Sequence, residues 1–291
     1  MQSLDAETRN MVLRFQRDEI TEHHIYKGLG GLVKSEHNRE VLNRIADEEL
    51  RHYHVWREHT GQEVRPDKIR RWFYLTISAV FGVTFGIKLM EKRENSAQVS
   101  YGKLLEAVPE AEEIAKEENE HENELIAMID EDRLKYMGSV VLGLNDALVE
   151  FMGALAGFTF ALQNSRLIGM VGLIMGFSAS LSMAASEYLS TKTEEVDRSP
   201  VKASLYTGAA YIVAVLFLVG PYLVLANHYA ALLLAIVLAV VLILVFSFYL
   251  AVVRDISFRE RFGEMFVISM GVAAVSFVIG LLVRRFLGVE V

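Results

Sequence analysis

Cysteine is absent from this chain of 291 residues, which excludes disulfides, thiolate-ligated zinc and iron–sulfur clusters. A DNA-binding motif and a basic stripe are also lacking, and the net charge is −8, so nucleic acid is not an expected partner. The first residues are charged from position 5 onward, unlike a signal peptide. We therefore expect the N-terminal region to stay in the cytosol.

Charge is scarce in the second half of the chain. Residues 1–135 hold 27 of the 37 acidic and 20 of the 29 Lys and Arg residues, so their net charge is −7, whereas residues 136–291 carry −1. This asymmetry predicts a soluble domain over residues 1–135 and a membrane domain over residues 136–291. With the helical motifs and spans described below, the expected fold is all-α.

Five long apolar segments lie in the second half. Residues 203–253 contain no Asp, Glu, Lys or Arg, a length sufficient for two spans of ~20 residues each. The predicted transmembrane helices cover residues 138–163, 167–189, 203–226, 229–253 and 264–284. Basic residues in the loops favour an orientation with the N-terminus inside.

Residues 72–87 form a shorter uncharged segment of 16 residues. It could be an additional span, or a helix of the soluble domain that is buried or lies against the membrane. We favour the second interpretation, because the motif described next needs both flanks in one compartment. Trp56 and Trp72 are both expected in the core.

A carboxylate–histidine pattern occurs twice in the first half. The paired segments are EITEHHIY (19–26) with EELRH (48–52), and ENSAQVSY (94–101) with EENEH (117–121). Because positions i and i+3 share a helix face, each Glu-x-x-His pair can point at one site. A four-helix bundle with two such pairs and one Glu from each other helix forms a di-metal carboxylate centre, and these ligands favour Fe or Mn.

Over roughly residues 10–130 the pattern resembles the rubrerythrin-type, ferritin-like family. The resemblance implies a ferritin-like four-helix bundle with an Fe2+/Fe3+ di-metal centre, or one that holds Mn2+. The implied ligands are Glu19, Glu49, His52, Glu94, Glu118 and His121. Glu22 and Glu91, each one turn away, are further candidates, and Glu91 competes with Glu94 because the helix register there is loosely defined.

Acidic residues also occur inside the predicted spans. Asp146 and Glu150 lie in the first span, where a carboxylate near mid-bilayer costs ~2.5–3.5 kcal/mol on insertion scales. Glu187 follows Met183 by four residues in the second span. Intramembrane acids usually mark ion or proton pathways, and a nearby thioether favours softer first-row cations. Glu187 could instead lie at the membrane interface.

The segments GLNDALVE (143–150) and SMAASEYLS (182–190) resemble signatures of the vacuolar iron transporter, or CCC1-like, family. The resemblance, over residues 136–291, implies a five-span homodimer that carries Fe2+, often also Mn2+, out of the cytosol in exchange for protons. It assigns Asp146, Met183 and Glu187 to the transport pathway, with Asn145 and Glu150 as neighbouring candidates. Ala147 and Ser186 replace glycines of those signatures, which we expect to alter packing rather than function.

The two resemblances together are typical of membrane-bound ferritins. They predict a multi-pass exporter of Fe2+, or of Mn2+, in a prokaryotic inner membrane, with protons, the lipid bilayer and a second copy as partners. Whether the soluble bundle oxidises, stores or senses iron stays open. The alternative is a membrane-anchored ferroxidase or peroxidase whose spans serve only as an anchor.

Overall fold

The protein is described by a computed structural model that covers residues 5–94, 108–127, 136–194 and 198–287. The chain divides into two compact units, Met1–Asp130 and Glu131–Val291. Both units are helical, and the described residues form no strand. The predicted all-α class is thereby confirmed.

The first unit contains five described helices: α1 (Ala6–Gly30), α2 (Glu36–Thr60), α3 (Lys68–Phe81), α4 (Val83–Glu94) and α5 (Ala111–Ala127). Asp5 and Ser35 cap α1 and α2 by accepting hydrogen bonds from backbone N–H groups of the first turn, which satisfies donors that the helix itself leaves free. Helix α1 packs along α2, and α3 packs against α1 and α4. Buried Glu and His side chains lie on α1, α2 and α5.

The apolar segment 72–87 is divided between α3 and α4 at Gly82. Its φ of 100° is a backbone conformation that glycine adopts without strain. The segment is not among the helices long and apolar enough to cross a membrane. Trp56 is fully buried, but Trp72 is 69% exposed, so the prediction that both lie in the core is wrong for Trp72. It lies on the face of α3 opposite Tyr74, which is buried.

The second unit contains five described helices long and apolar enough to span a membrane. They are α6 (Met137–Leu162), α7 (Ser165–Thr193), α8 (Pro200–Val224), α9 (His228–Val253) and α10 (Phe258–Leu287). The predicted number of spans is confirmed. Helix α10 begins earlier than predicted, because its first turns are charged and hydropathy marks only the apolar part of a helix.

Glycines allow the first span to approach its neighbours closely. At Gly143 of α6 a side chain would collide with the backbone of Thr207 in α8, and at Gly280 of α10 it would collide with the backbone of Gly157 in α6. Small residues at such crossings are how helices pack in membranes, where no hydrophobic force brings them together. The helix that carries Asp146 and Glu150 is therefore fixed on two sides.

Candidate metal sites

Four side chains from three helices of the first unit converge on one point. Glu19 comes from α1, Glu49 and His52 from α2, and Glu118 from α5, and each offers a ligand atom within 4.8 Å of the others. Glu19, Glu49 and His52 are at most 5% exposed. The i, i+3 spacing places Glu49 and His52 on one face of α2, as the sequence predicts.

His121 completes a nearly symmetric arrangement with His52. One carboxylate oxygen of Glu49 lies 3.6 Å from Nδ1 of His52, and the other lies 3.3 Å from Nδ1 of His121. Glu118 repeats this, at 3.0 Å from His52 and 3.9 Å from His121. Each of these two carboxylates therefore faces both imidazoles.

The inward-facing atoms of this cluster fit a bound cation. Oε2 of Glu49, Nδ1 of His52, Oε1 of Glu118 and Nδ1 of His121 are buried and are not aligned for a hydrogen bond with any described residue, although His52 and Glu118 approach to 3.0 Å. Buried polar atoms normally have partners. Carboxylate oxygens and imidazole nitrogens directed at one another are the donor set that Fe or Mn prefers.

The outer nitrogens of both histidines donate to carboxylates on the opposite helix. Nε2 of His52 lies 2.7 Å from Oε2 of Glu117, and Nε2 of His121 lies 2.7 Å from Oε2 of Glu48. Such a carboxylate fixes the tautomer and ring orientation of a ligating histidine and leaves its other nitrogen to the metal. The sequence interpretation missed Glu48 and Glu117. The Glu-Glu doublet shared by EELRH and EENEH is the signal that could have revealed them.

Arginines hold the two outer carboxylates in place. Arg44 pairs with Glu48 at 3.1 Å and also with Glu124 of α5, and Arg51 of α2 pairs with Glu117 of α5. These ion pairs are half-exposed and each contributes little to stability. They do join α2 to α5 on either side of the histidines.

The other predicted ligands of the first unit lie in different surroundings. Glu22 forms an ion pair of 2.5 Å with Arg70 and does not belong to the converging group of four. The side chains of Glu91 and Glu94 lie outside the described residues. Glu19 accepts a hydrogen bond of 2.9 Å from Nε1 of Trp56, which orients its carboxylate and was not foreseen.

The buried charges shift the proton affinities of the cluster. Burial raises the pKa of Glu19 to about 8 and also raises the pKa of Glu118. Burial alone would lower the pKa of His121, but the adjacent carboxylate of Glu49 raises it to about 9. The pKa of His52 is likewise raised, against the effect of burial, by Glu118, Glu19 and Glu49. Without a metal, the cluster therefore retains protons that a cation would displace.

The polar residues of the second unit lie on α6 and α7. Asp146 precedes a single π-helical turn, Ala147–Phe151, which interrupts the α-helix and contains Glu150. Such turns are rare and occur often at functional sites. Asp146 is half-buried, whereas Glu150 is exposed in the single chain, although both belong to a candidate span. The two acids interact electrostatically with each other and with buried Tyr211 of α8.

Asn145 precedes Asp146 in α6, whereas Met183 and Glu187 lie in α7. Oδ1 of Asn145 is buried and no described residue donates to it. Met183 packs partly buried against the core of the unit. The carboxylate of Glu187 accepts a hydrogen bond of 2.6 Å from Oγ of Ser139 in α6, so α6 and α7 are linked through one of the acids. Ser139 was not foreseen from the sequence.

Comparison with known proteins gives a family match within the second unit. No curated protein and no solved structure matches the chain. Residues 137–197, which include Asp146, Glu150, Met183 and Glu187, match the family model described as VIT family. Over this stretch of 61 residues the chain is therefore similar to the vacuolar iron transporter (VIT) family.

Proposed function

We propose that the second unit exports Fe2+, or Mn2+, from the cytosol in exchange for protons. The match of residues 137–197 to the VIT family carries this proposal, because the matched residues contain the intramembrane acids. A membrane anchor has no need of such acids, which are costly in lipid and usually mark ion pathways.

The residues of the pathway offer a suitable donor set. Asp146 and Glu187 supply carboxylates, Met183 supplies a thioether, and Asn145 supplies a buried amide oxygen. The combination of hard oxygens with one soft sulfur favours a first-row transition metal over Mg2+ or Ca2+. Because a charged carboxylate is disfavoured in a low dielectric, protons would replace the metal on these acids after its release, which couples the two fluxes.

A second copy of the chain would explain the position of Glu150. This acid is exposed on the side of an otherwise apolar helix in the single chain. In a symmetric dimer the same surface of both copies meets at the two-fold axis, so two Glu150 side chains could line a shared pathway instead of facing lipid.

For the first unit we propose a ferritin-like bundle that binds two metal ions. Glu19, Glu49, His52, Glu118 and His121 would hold the ions. Glu48 and Glu117 would orient the two imidazoles, and burial of the cluster would exclude water. A bound iron pair would supply redox chemistry with dioxygen, which would make the unit a ferroxidase. Metal capture or sensing needs the same ligands without that chemistry.

Metal flux into proteoliposomes that contain the full chain tests the transport proposal. We expect Fe2+ to enter them, and we expect Asp146→Asn to reduce entry to the level of protein-free liposomes. Asp255→Asn is a control, because Asp255 lies between α9 and α10. Wild-type flux no greater than that of protein-free liposomes would instead favour the membrane-anchored ferroxidase, and undiminished flux in the Asp146 variant would remove Asp146 from the pathway.

A further inference from the structure

The outward face of α3 carries most of the exposed apolar surface of the first unit. Among its described residues, five large apolar side chains are exposed, and four of them belong to α3. They are Ile69 (80%), Trp72 (69%), Phe73 (43%) and Val80 (71%). Soluble proteins rarely expose several large apolar side chains side by side without a function.

These four residues form one continuous stripe along the helix. The spacing of Ile69, Trp72, Phe73 and Val80 is i, i+3, i+4 and i+11, which keeps them on a single face over ~16 Å. The opposite face contains Arg70, which pairs with Asp18 and Glu22, and the buried Tyr74 and Ser78. Helix α3 therefore has two distinct faces. One face belongs to the core of the unit, and the apolar stripe faces outward.

Positive charge accompanies the stripe. From Lys68 to Met90 the sequence has no acidic residue and four basic residues, of which Arg70 is paired with Asp18 and Glu22. Lys68 and Arg71 are exposed, and both lie next to Trp72 in the first turns of the helix. Basic residues beside a Trp-containing apolar face are typical of helices that lie in the interface of an anionic bilayer.

We propose that the stripe Ile69–Val80 of α3 lies in the headgroup region of a bilayer that contains anionic lipids. The chain carries five helices able to span a membrane, so the first unit is held near a membrane surface. Tethering raises the effective concentration of that surface, and a stripe of four side chains then suffices for contact. A symmetric pair of α3 faces is the alternative occupant, which the second measurement below distinguishes.

Two tryptophans with opposite exposure allow a direct test in the full chain. The protein would be reconstituted, free of metal, into nanodiscs of phosphatidylcholine and phosphatidylglycerol, with and without brominated acyl chains that quench nearby indoles. We expect brominated lipid to remove most of the Trp72 emission, obtained as the difference between the wild-type protein and Trp72→Phe. Trp56 is fully buried, so the emission left in Trp72→Phe should be unchanged. Equal quenching in nanodiscs without phosphatidylglycerol would contradict the role of anionic lipid.

The absence of cysteine permits a second measurement that does not depend on Trp72. A spin label at Val80→Cys should collide more often with oxygen, which concentrates in lipid, than with a water-soluble nickel chelate. The matched label at Glu40→Cys, on an exposed position of α2, should show the reverse. Water-like accessibility at Val80 together with unquenched Trp72 would overturn the proposal. Disulfide-linked dimers of Val80→Cys with unquenched Trp72 would assign the stripe to a second copy instead.

Discussion

The two units use acidic residues in contrasting ways. In the first unit, Glu49 is 1% exposed and its two oxygens face two histidines. In the second, Glu150 is exposed on a helix long and apolar enough to span a membrane. Glu187 accepts a hydrogen bond from a serine hydroxyl. A closed cluster with nitrogen ligands suits a resident metal, whereas open acids with weak partners suit an ion in transit.

The largest expected effect is on metal binding by the Glu/His cluster of the first unit. Glu49→Gln removes a charge that faces both histidines, so we expect the purified full chain to lose most of its first-unit metal. Elemental analysis after purification with Fe2+ present measures this loss. Glu40→Gln, an exposed substitution on the same helix, should retain the metal. Equal metal content in the two variants would contradict the proposed site.

The outer carboxylates should have an intermediate effect. Removing a carboxylate that orients a metal-bound histidine typically costs ~10–100-fold in affinity. We expect this range for Glu48→Gln and for Glu117→Gln, with similar values for both, because each lies 2.7 Å from one histidine. Competition with a fluorescent chelator measures the affinities. An effect of only one variant would show that the two halves of the site are not equivalent.

Proton release on metal binding follows from the shifted pKa values. Glu19, with a pKa near 8, and His121, with a pKa near 9, hold protons at neutral pH that a metal must displace. Metal affinity should therefore increase as the pH rises from about 6 to about 8. Calorimetric titrations in two buffers of different ionisation enthalpy would reveal the protons, and equal heats in both buffers would contradict the prediction.

The same shifts predict how pH affects the metal-free protein. Both groups have a higher pKa in the folded than in the unfolded chain, where Glu19 has a value near 4.5 and His121 one near 6.5. Their contribution to the free energy of unfolding is therefore complete at a pH below the pKa values of the unfolded chain. It is lost as the pH rises through the pKa values of the folded chain. Thermal unfolding with chelator present should occur at a lower temperature at about pH 8.5 than at about pH 6, and bound metal should remove this difference.

The smallest effect is expected in the second unit, at Ser139. Ser139→Ala removes a hydrogen bond to Glu187 of the kind that contributes ~0.5–1.5 kcal/mol, or more when the acceptor is charged. We expect a reduction of metal flux by only a few-fold, which stopped-flow measurements on proteoliposomes can resolve. Ser178→Ala, at an exposed position of α7, should have no effect. A complete loss of flux would mean that Ser139 itself belongs to the pathway.

Much of this picture could be predicted because helical periodicity is a local property. The i, i+3 spacing alone places Glu49 with His52 and Glu118 with His121, and long, predominantly apolar segments reveal the five spans. Glu48 and Glu117 could not be distinguished in the same way, because their partners lie on another helix and the surrounding segments are rich in Glu. The π turn at Glu150 and the break at Gly82 depend on packing and backbone conformation, which composition does not report.

The contrast between a resident and a transported metal is tested most directly by measuring bound metal and flux on the same proteoliposome preparations. We predict that Asp146→Asn abolishes Fe2+ flux and leaves the metal of the first unit in place, whereas Glu49→Gln releases that metal and leaves Asp146-dependent flux detectable. Flux that survives in Asp146→Asn would contradict the account.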